Sequence, residues 1–331
     1  MIQFDLGSES LPWCKSAFSD LERKYSSNRL PHAILFSGPS GLGKQQVARV
    51  FSQWLVLQQA APENREKTAS LLRADSHPDC LWITVEAGKQ SISVDQIRSL
   101  IRRLSLTSHV QTRIGIICLA EDMTTAAANA LLKTLEEPPG DVLLLLVSNN
   151  AGRLPQTIRS RCQKIDFALP DTALALSWLS QTLGEQAATF LHMAAGAPLT
   201  ALQYYQEKQG DTYKQLLLGL ASLARCETDA PSLASENKSI GLANLIAWLD
   251  QLVRQLIQQK MSAEYGQESK LDISCNLLNR LKLSIDNLDL IKLYQYRDFL
   301  QQARGEIQAN LNPDLFMEEI FMRWSAAVGA K

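Results

Sequence analysis

Short apolar runs without polar interruption punctuate the first half of the chain. Ala33 to Phe36, Ile114 to Ala120 and Val142 to Val147 are of this kind, as expected of strands covered on both faces of a parallel sheet. Leu81-Trp82-Ile83-Thr84-Val85 is a further strand candidate. Helical spacing fills the intervals, most plainly over Gln46 to Leu57. Strand and helix therefore alternate, which predicts an α/β domain ending near residue 168.

The strand pattern stops after Pro170. Residues 171 to about 208 read as a helix or two, then a Gly196-Ala197-Pro198 break, then a short helix from Leu199. From about residue 211 the pattern is helical throughout. Leu242, Leu245, Ile246, Leu249, Leu252, Val253, Leu256 and Ile257 recur at three- and four-residue steps and mark one buried stripe on a long helix. Leu288 to Ile307 and Leu315 to Trp324 repeat the theme. Cys226 to Ser239, rich in Ser, Ala and acids, is expected to be the least ordered internal stretch. Ala60 to Ser76 reads as a polar, helix-prone insertion. The predicted division is 1–168, 169–208 and 209–331.

A chain of 331 residues exceeds what one core usually serves, so two or three domains are expected. There is no run of 18 apolar residues and no signal-peptide pattern at Met1-Ile2-Gln3-Phe4-Asp5, so a soluble, cytoplasmic protein without membrane partners is expected. A formal net charge of -1 gives no global attraction to nucleic acid. Cysteines 14, 80, 118, 162, 226 and 275 stand singly, with no C-x-x-C pair, and most are expected to be reduced core residues.

The chemistry concentrates in Ser37-Gly38-Pro39-Ser40-Gly41-Leu42-Gly43-Lys44-Gln45. It follows a predicted strand and enters a predicted helix, the context of a phosphate-binding loop. In such a loop Gly38, Gly41 and Gly43 would let backbone N–H groups crowd a phosphate, and Lys44 would neutralise it. A Ser or Thr normally follows the lysine and ligates Mg²⁺; Gln45 stands there instead. The cradle survives better than the metal site. Hydrolysis also needs carboxylates at the end of a second strand. The first acids after Ile114 to Ala120 are Glu121 and Asp122. Their spacing fits either magnesium ligands or the start of the next helix, where the dipole favours carboxylates.

A longer set of motifs bears on that choice. Ala127-Ala128-Asn129-Ala130-Leu131-Leu132-Lys133-Thr134-Leu135-Glu136-Glu137-Pro138-Pro139 and Thr157-Ile158-Arg159-Ser160-Arg161-Cys162 closely resemble the clamp-loader subunits of bacterial DNA polymerase III, members of the AAA+ family. Within that family the resemblance is to the delta-prime subunits. Pro12-Trp13, Arg29-Leu30-Pro31-His32-Ala33, His77-Pro78-Asp79, Val94-Asp95-Gln96-Ile97-Arg98, Gly196-Ala197-Pro198-Leu199 and Asn312-Pro313-Asp314-Leu315 add to it. The matches are highly specific up to Cys162 and weak across the C-terminal third.

The resemblance implies a RecA-like AAA+ nucleotide-binding domain over 1–168, a helical lid over 169–208 and a helical collar for oligomerisation over 209–331. Counted back from Asn129, the family's magnesium-holding Asp-Glu pair falls on Cys118 and Leu119. Neither can replace a hard oxygen ligand. ATP bound without hydrolysis is therefore the most that is expected, with no metal and no magnesium requirement. The family's four-cysteine zinc module is also not expected, since no cysteine occurs from Gln58 through Asp79.

By the same resemblance Arg161 is the arginine that projects into a neighbour's ATP site, where such fingers are worth on the order of 10³ to 10⁵ in rate. Ser148-Asn149 stands where the class places a γ-phosphate sensor. The implied partners are the gamma/tau motor and delta subunits in a heteropentamer, with the sliding clamp and primed DNA. Lys89, Arg98, Arg102, Arg103, Arg113 and Lys133 are candidates for contact with DNA phosphates. No polymerase chemistry is expected of this chain itself. Two rival readings stay open: an ATP-hydrolysing motor subunit of the same machine, and a nucleotide-processing enzyme with a phosphate loop.

Overall fold

The computed structural model describes residues 11–265, 288–306 and 312–328. Five strands, β1 (Ala33–Ser37), β2 (Cys80–Ile83), β3 (Arg113–Cys118), β4 (Val142–Ser148) and β5 (Gln163–Asp166), form one sheet in the order β2-β3-β4-β1-β5. Every pairing is parallel. The apolar runs read from the sequence are the three central strands, which are buried along their whole length. β5 was not legible as a strand, because its residues Gln163, Lys164 and Asp166 are exposed on the sheet edge and charged edges are what such positions tolerate.

Helices α1 (Lys15–Ser26), α2 (Lys44–Gln59), α3 (Arg65–Arg73), α4 (Val94–Leu104), α5 (Thr125–Glu136) and the short α6 (Gln156–Arg159) alternate with these strands. α3 falls within the helix-prone insertion, and it buries Thr68, Ala69 and Leu72. Alternate strand residues Ala33, Leu35, Leu144 and Leu146 share a buried cluster with Ile97 and Leu100 of α4 and Leu131 and Leu135 of α5. The period of two sends Ile34, Phe36, Leu143 and Leu145 to the other face, and these too are buried. Each such side chain contributes about 1.5–3 kcal/mol when fully buried. Ser93 and Gln96 close a capping box on α4, and Thr124 caps α5 by accepting from the Ala127 amide. A parallel sheet of this order with alternating helices is the RecA-like AAA+ fold expected above.

The remaining elements are helices: α7 (Thr172–Leu183), α8 (Ala187–Met193), α9 (Pro198–Gln206), α10 (Gln209–Ala224), α11 (Ala230–Glu236), α12 (Leu242–Tyr265), α13 (Leu290–Glu306) and α14 (Pro313–Val328). The predicted stripe on α12 is buried from Leu245 to Ile257. One expectation is corrected: Cys226 to Ser239 contains α11. Asp229 caps it by accepting from the Ser232 amide at 2.8 Å, a proline starts it, and Leu233 and Ala234 are buried. The polar residues that suggested a loop are its cap and its solvated side.

Contacts divide the chain into two compact units, Met1–Glu185 with Gly196–Thr200, and Gln186–Ala195 with Ala201–Lys331. The stretch 169–208 is shared between them. Cys275 and the first five residues lie outside the described residues.

Candidate functional site

The glycine loop connects β1 to α2, and Gly43 is the N-cap of that helix in a left-handed conformation, φ 86°. Lys44 opens α2 and is 3% exposed. Its ammonium donates to the carbonyls of Gly38 at 2.7 Å and Pro39 at 2.5 Å, and to Oδ1 of Asn149 at 2.8 Å. An ammonium has three N–H donors, so the protein itself occupies all of them. Burial pushes Lys44 down to about 8, with Glu121 and Cys14 pulling it partly back.

Asn149 follows β4, and its backbone N–H donates to Glu121 Oε1 at 2.8 Å. Glu121 sits in a short 3-10 turn, Ala120–Asp122, three residues ahead of the Thr124 cap of α5. It thus belongs to the turn that leads into α5 and not to α5 itself. Its carboxylate holds the backbone that presents Asn149 to Lys44. Asp122 lies 3.9 Å from Arg153.

The loop is also covered from within its own compact unit. Trp13 Nε1 donates to the Leu42 carbonyl at 2.9 Å, and the Cys14 thiol to the same oxygen at 3.2 Å. The Leu199 amide donates to the Gly41 carbonyl at 3.1 Å. Gly41 has φ +73°, and a Cβ there would lie 2.1 Å from Thr200 Oγ1. Glycine is required at that point by approach as well as by conformation.

Cys118 ends β3, paired with Val147 on β4. It is 4% exposed, and burial pushes its thiol up to about 11. Leu119 turns the chain out of the strand at φ 54°. Neither side chain carries a hard oxygen ligand. Gln45 is exposed in the first turn of α2.

Arg161 lies just past the C-terminus of α6. Its Nη1 donates to the Thr157 carbonyl at 2.9 Å, and Nη2 forms an ion pair with Glu136 at the end of α5. Its side chain is 35% exposed. Cys162 packs against the core cluster beneath.

Similarity to known proteins reaches over nearly all of the chain. The family model described as "DNA polymerase III, delta subunit" matches residues 13–171. The chain is 30% identical to the DNA polymerase III subunit delta' of Pseudomonas aeruginosa over 96% of its length and 98% of the relative's. It is 34% identical to that of Yersinia pestis, with 96% of each chain covered. The Escherichia coli subunit is 28% identical over 94% of both. The chain belongs to the delta-prime subunits of DNA polymerase III.

In this delta-prime chain the structure brings Gly38, Gly41, Gly43, Lys44 and Asn149 into one site, and Arg161 stands just past the end of α6. The residues that cover the loop, Trp13, Cys14, Leu199 and Thr200, were not read from the sequence as part of the site. Their motifs, Pro12-Trp13 and Gly196-Ala197-Pro198-Leu199, were visible only as marks of the family. Among the candidates for DNA contact, Arg113 is corrected: it is 6% exposed, with Nε 3.4 Å from Asp79. Arg98 lies 3.7 Å from Asp95, Lys89 is 2.6 Å from Glu86, and Arg102, Arg103 and Lys133 are exposed. Among the described residues, no helix is long and apolar enough to cross a membrane.

Proposed function

We propose that this delta-prime subunit is a non-hydrolysing member of the clamp loader, one that completes a neighbouring motor subunit's ATP site with Arg161 while its own site stays silent. The observation that carries this is the state of Lys44. The residue that should meet a phosphate is buried and spends its three donors on Gly38, Pro39 and Asn149. The strand end that should supply magnesium ligands offers Cys118 and Leu119. ATP can enter only by breaking the lysine's bonds, and nothing at the strand end would activate water once it was in.

Arg161 fits the opposite role. Its guanidinium is accessible at the end of α6 and carries the planar donor fork suited to phosphate. In this reading the chain joins the gamma/tau and delta subunits in a heteropentamer through its C-terminal helices and helps place the sliding clamp on primed DNA. Any polymerase activity belongs to the holoenzyme, in the cytoplasm.

The test is reconstitution with the motor and delta subunits. Arg161→Ala should leave assembly intact and lower DNA-stimulated ATP hydrolysis and clamp loading, since a finger is worth on the order of 10³ or more at the site it serves. Unchanged hydrolysis in an intact complex would refute the finger. Phosphate release by the purified chain, abolished in Lys44→Ala, would instead support the motor reading.

A further inference from the structure

We propose that Glu136 is a positioning residue for Arg161, an inference that rests on reading Arg161 as a finger acting in trans. The carboxylate is the last residue of α5, the end of a helix at which the backbone dipole repels negative charge. Glu137 follows it as the C-cap, and Lys133 is the one basic residue of that last turn. What stands against Glu136 is a cation from another element: Nη2 of Arg161.

The second anchor is also a helix end. Nη1 of Arg161 donates to the Thr157 carbonyl at 2.9 Å, a last-turn carbonyl of α6 that also accepts from the Ser160 hydroxyl at 3.2 Å. The guanidinium thus bridges the C-termini of α5 and α6. Both side chains of the ion pair are substantially exposed, at 35% and 49%, and exposed pairs add little to folding. The consequence of the pair falls on the arginine's position rather than on stability.

An arginine has long, rotamer-rich reach, and fixing it at the moment of reaction costs rate. Two anchors on the rigid ends of neighbouring helices impose that order before a partner arrives. They occupy one N–H on each of Nη1 and Nη2, so the Nε–H and the second hydrogen on each terminal nitrogen remain for an incoming phosphate. Glu136 touches neither ATP nor metal in this arrangement; it acts only through Arg161.

The test is a double-mutant cycle in the reconstituted complex, with wild type, Glu136→Ala, Arg161→Ala and the double variant, each first shown to assemble. Glu136→Ala should lower DNA-stimulated kcat about two- to tenfold, the effect of freeing one long side chain, with KM for ATP unchanged. Glu136→Gln, whose carbonyl can still accept, should recover part of the loss. In the Arg161→Ala background Glu136→Ala should change nothing further. A wild-type rate in Glu136→Ala beside a slow Arg161→Ala would overturn the positioning role, as would an equal loss from Glu136→Ala in both backgrounds. If Arg161→Ala itself kept the wild-type rate, the finger reading would fall first, and this inference with it.

Discussion

Lys44 and Asn149, 105 residues apart in the chain, meet at 2.8 Å. The contact ties the loop after β1 to the end of β4, neighbours in the sheet, through a side chain that in a working nucleotide site would be reserved for phosphate. Together with the bonds to Gly38 and Pro39 it makes Lys44 a structural strut. Lys44→Met, which keeps the stem and removes the ammonium, should therefore cost about 1–3 kcal/mol by orphaning polar acceptors around a buried site. Denaturant unfolding of the isolated chain measures it. A lysine poised for ligand and unused by the fold would give no loss, or a gain.

The same burial gives the strut a pH signature. Lys44 is pulled down to about 8 from 10.5, so between those values the unfolded chain holds a proton there that the folded chain has released. Stability attributable to Lys44 then rises with pH across that window, and it is independent of pH below it, where both states are protonated. Subtracting the Lys44→Met unfolding free energy from that of wild type, from about pH 7 to about pH 10, should isolate this rise. A flat difference would mean that the lysine is solvated.

How far the sequence discloses such a site depends on the range of the interactions. The central strands were legible because Ile114 to Cys118 and Val142 to Val147 are uniformly apolar, and α12 because its stripe repeats at helical spacing. The glycine loop was legible because its residues are contiguous. Asn149 and Glu121 were singled out as candidates, but their bonds at that loop were not legible, nor were Trp13 and Thr200 as its neighbours, since all four reach it only through the tertiary fold. β5 and α11 were missed for a different reason. Their polarity is that of a sheet edge and of a capped surface helix, and composition alone does not separate either from a loop.

Thr200 supplies a prediction from the loop's other side. A methyl group on Gly41 would fall 2.1 Å from Thr200 Oγ1 and 2.8 Å from its backbone nitrogen, at a φ of +73° that alanine resists. Gly41→Ala should cost about 1–3 kcal/mol from backbone strain alone, with the Leu199 amide losing its bond to the Gly41 carbonyl. Because backbone as well as hydroxyl is in the way, adding Thr200→Ala should restore only part of the stability. Thermal unfolding of the single and double variants reads both effects. Full recovery in the double variant would mean that the hydroxyl, and not the packed backbone, is the obstacle.

Asp79 and Arg113 make the remaining prediction. Asp79 is fully buried, and its Oδ2 accepts from the amides of His109 at 2.8 Å and Val110 at 3.0 Å. Arg113 Nε lies 3.4 Å from the other carboxylate oxygen, and its guanidinium also donates to the carbonyls of Arg103 and Thr107. Between them the two side chains fix the connection from α4 to β3. Asp79→Asn removes the countercharge and leaves a buried guanidinium uncompensated, a change expected to cost about 3–5 kcal/mol. Replacing both, Asp79→Asn with Arg113→Met, should recover much of that, because the expensive state is the lone charge rather than the absence of the pair. Amide exchange at His109 and Val110 separates the two contributions. It should quicken in Asp79→Asn, where a neutral carbonyl oxygen accepts from these amides more weakly than the carboxylate did, and stay quick in the double variant even as global stability returns. Protected amides in both variants would show that the connection is held by its own backbone and not by Asp79.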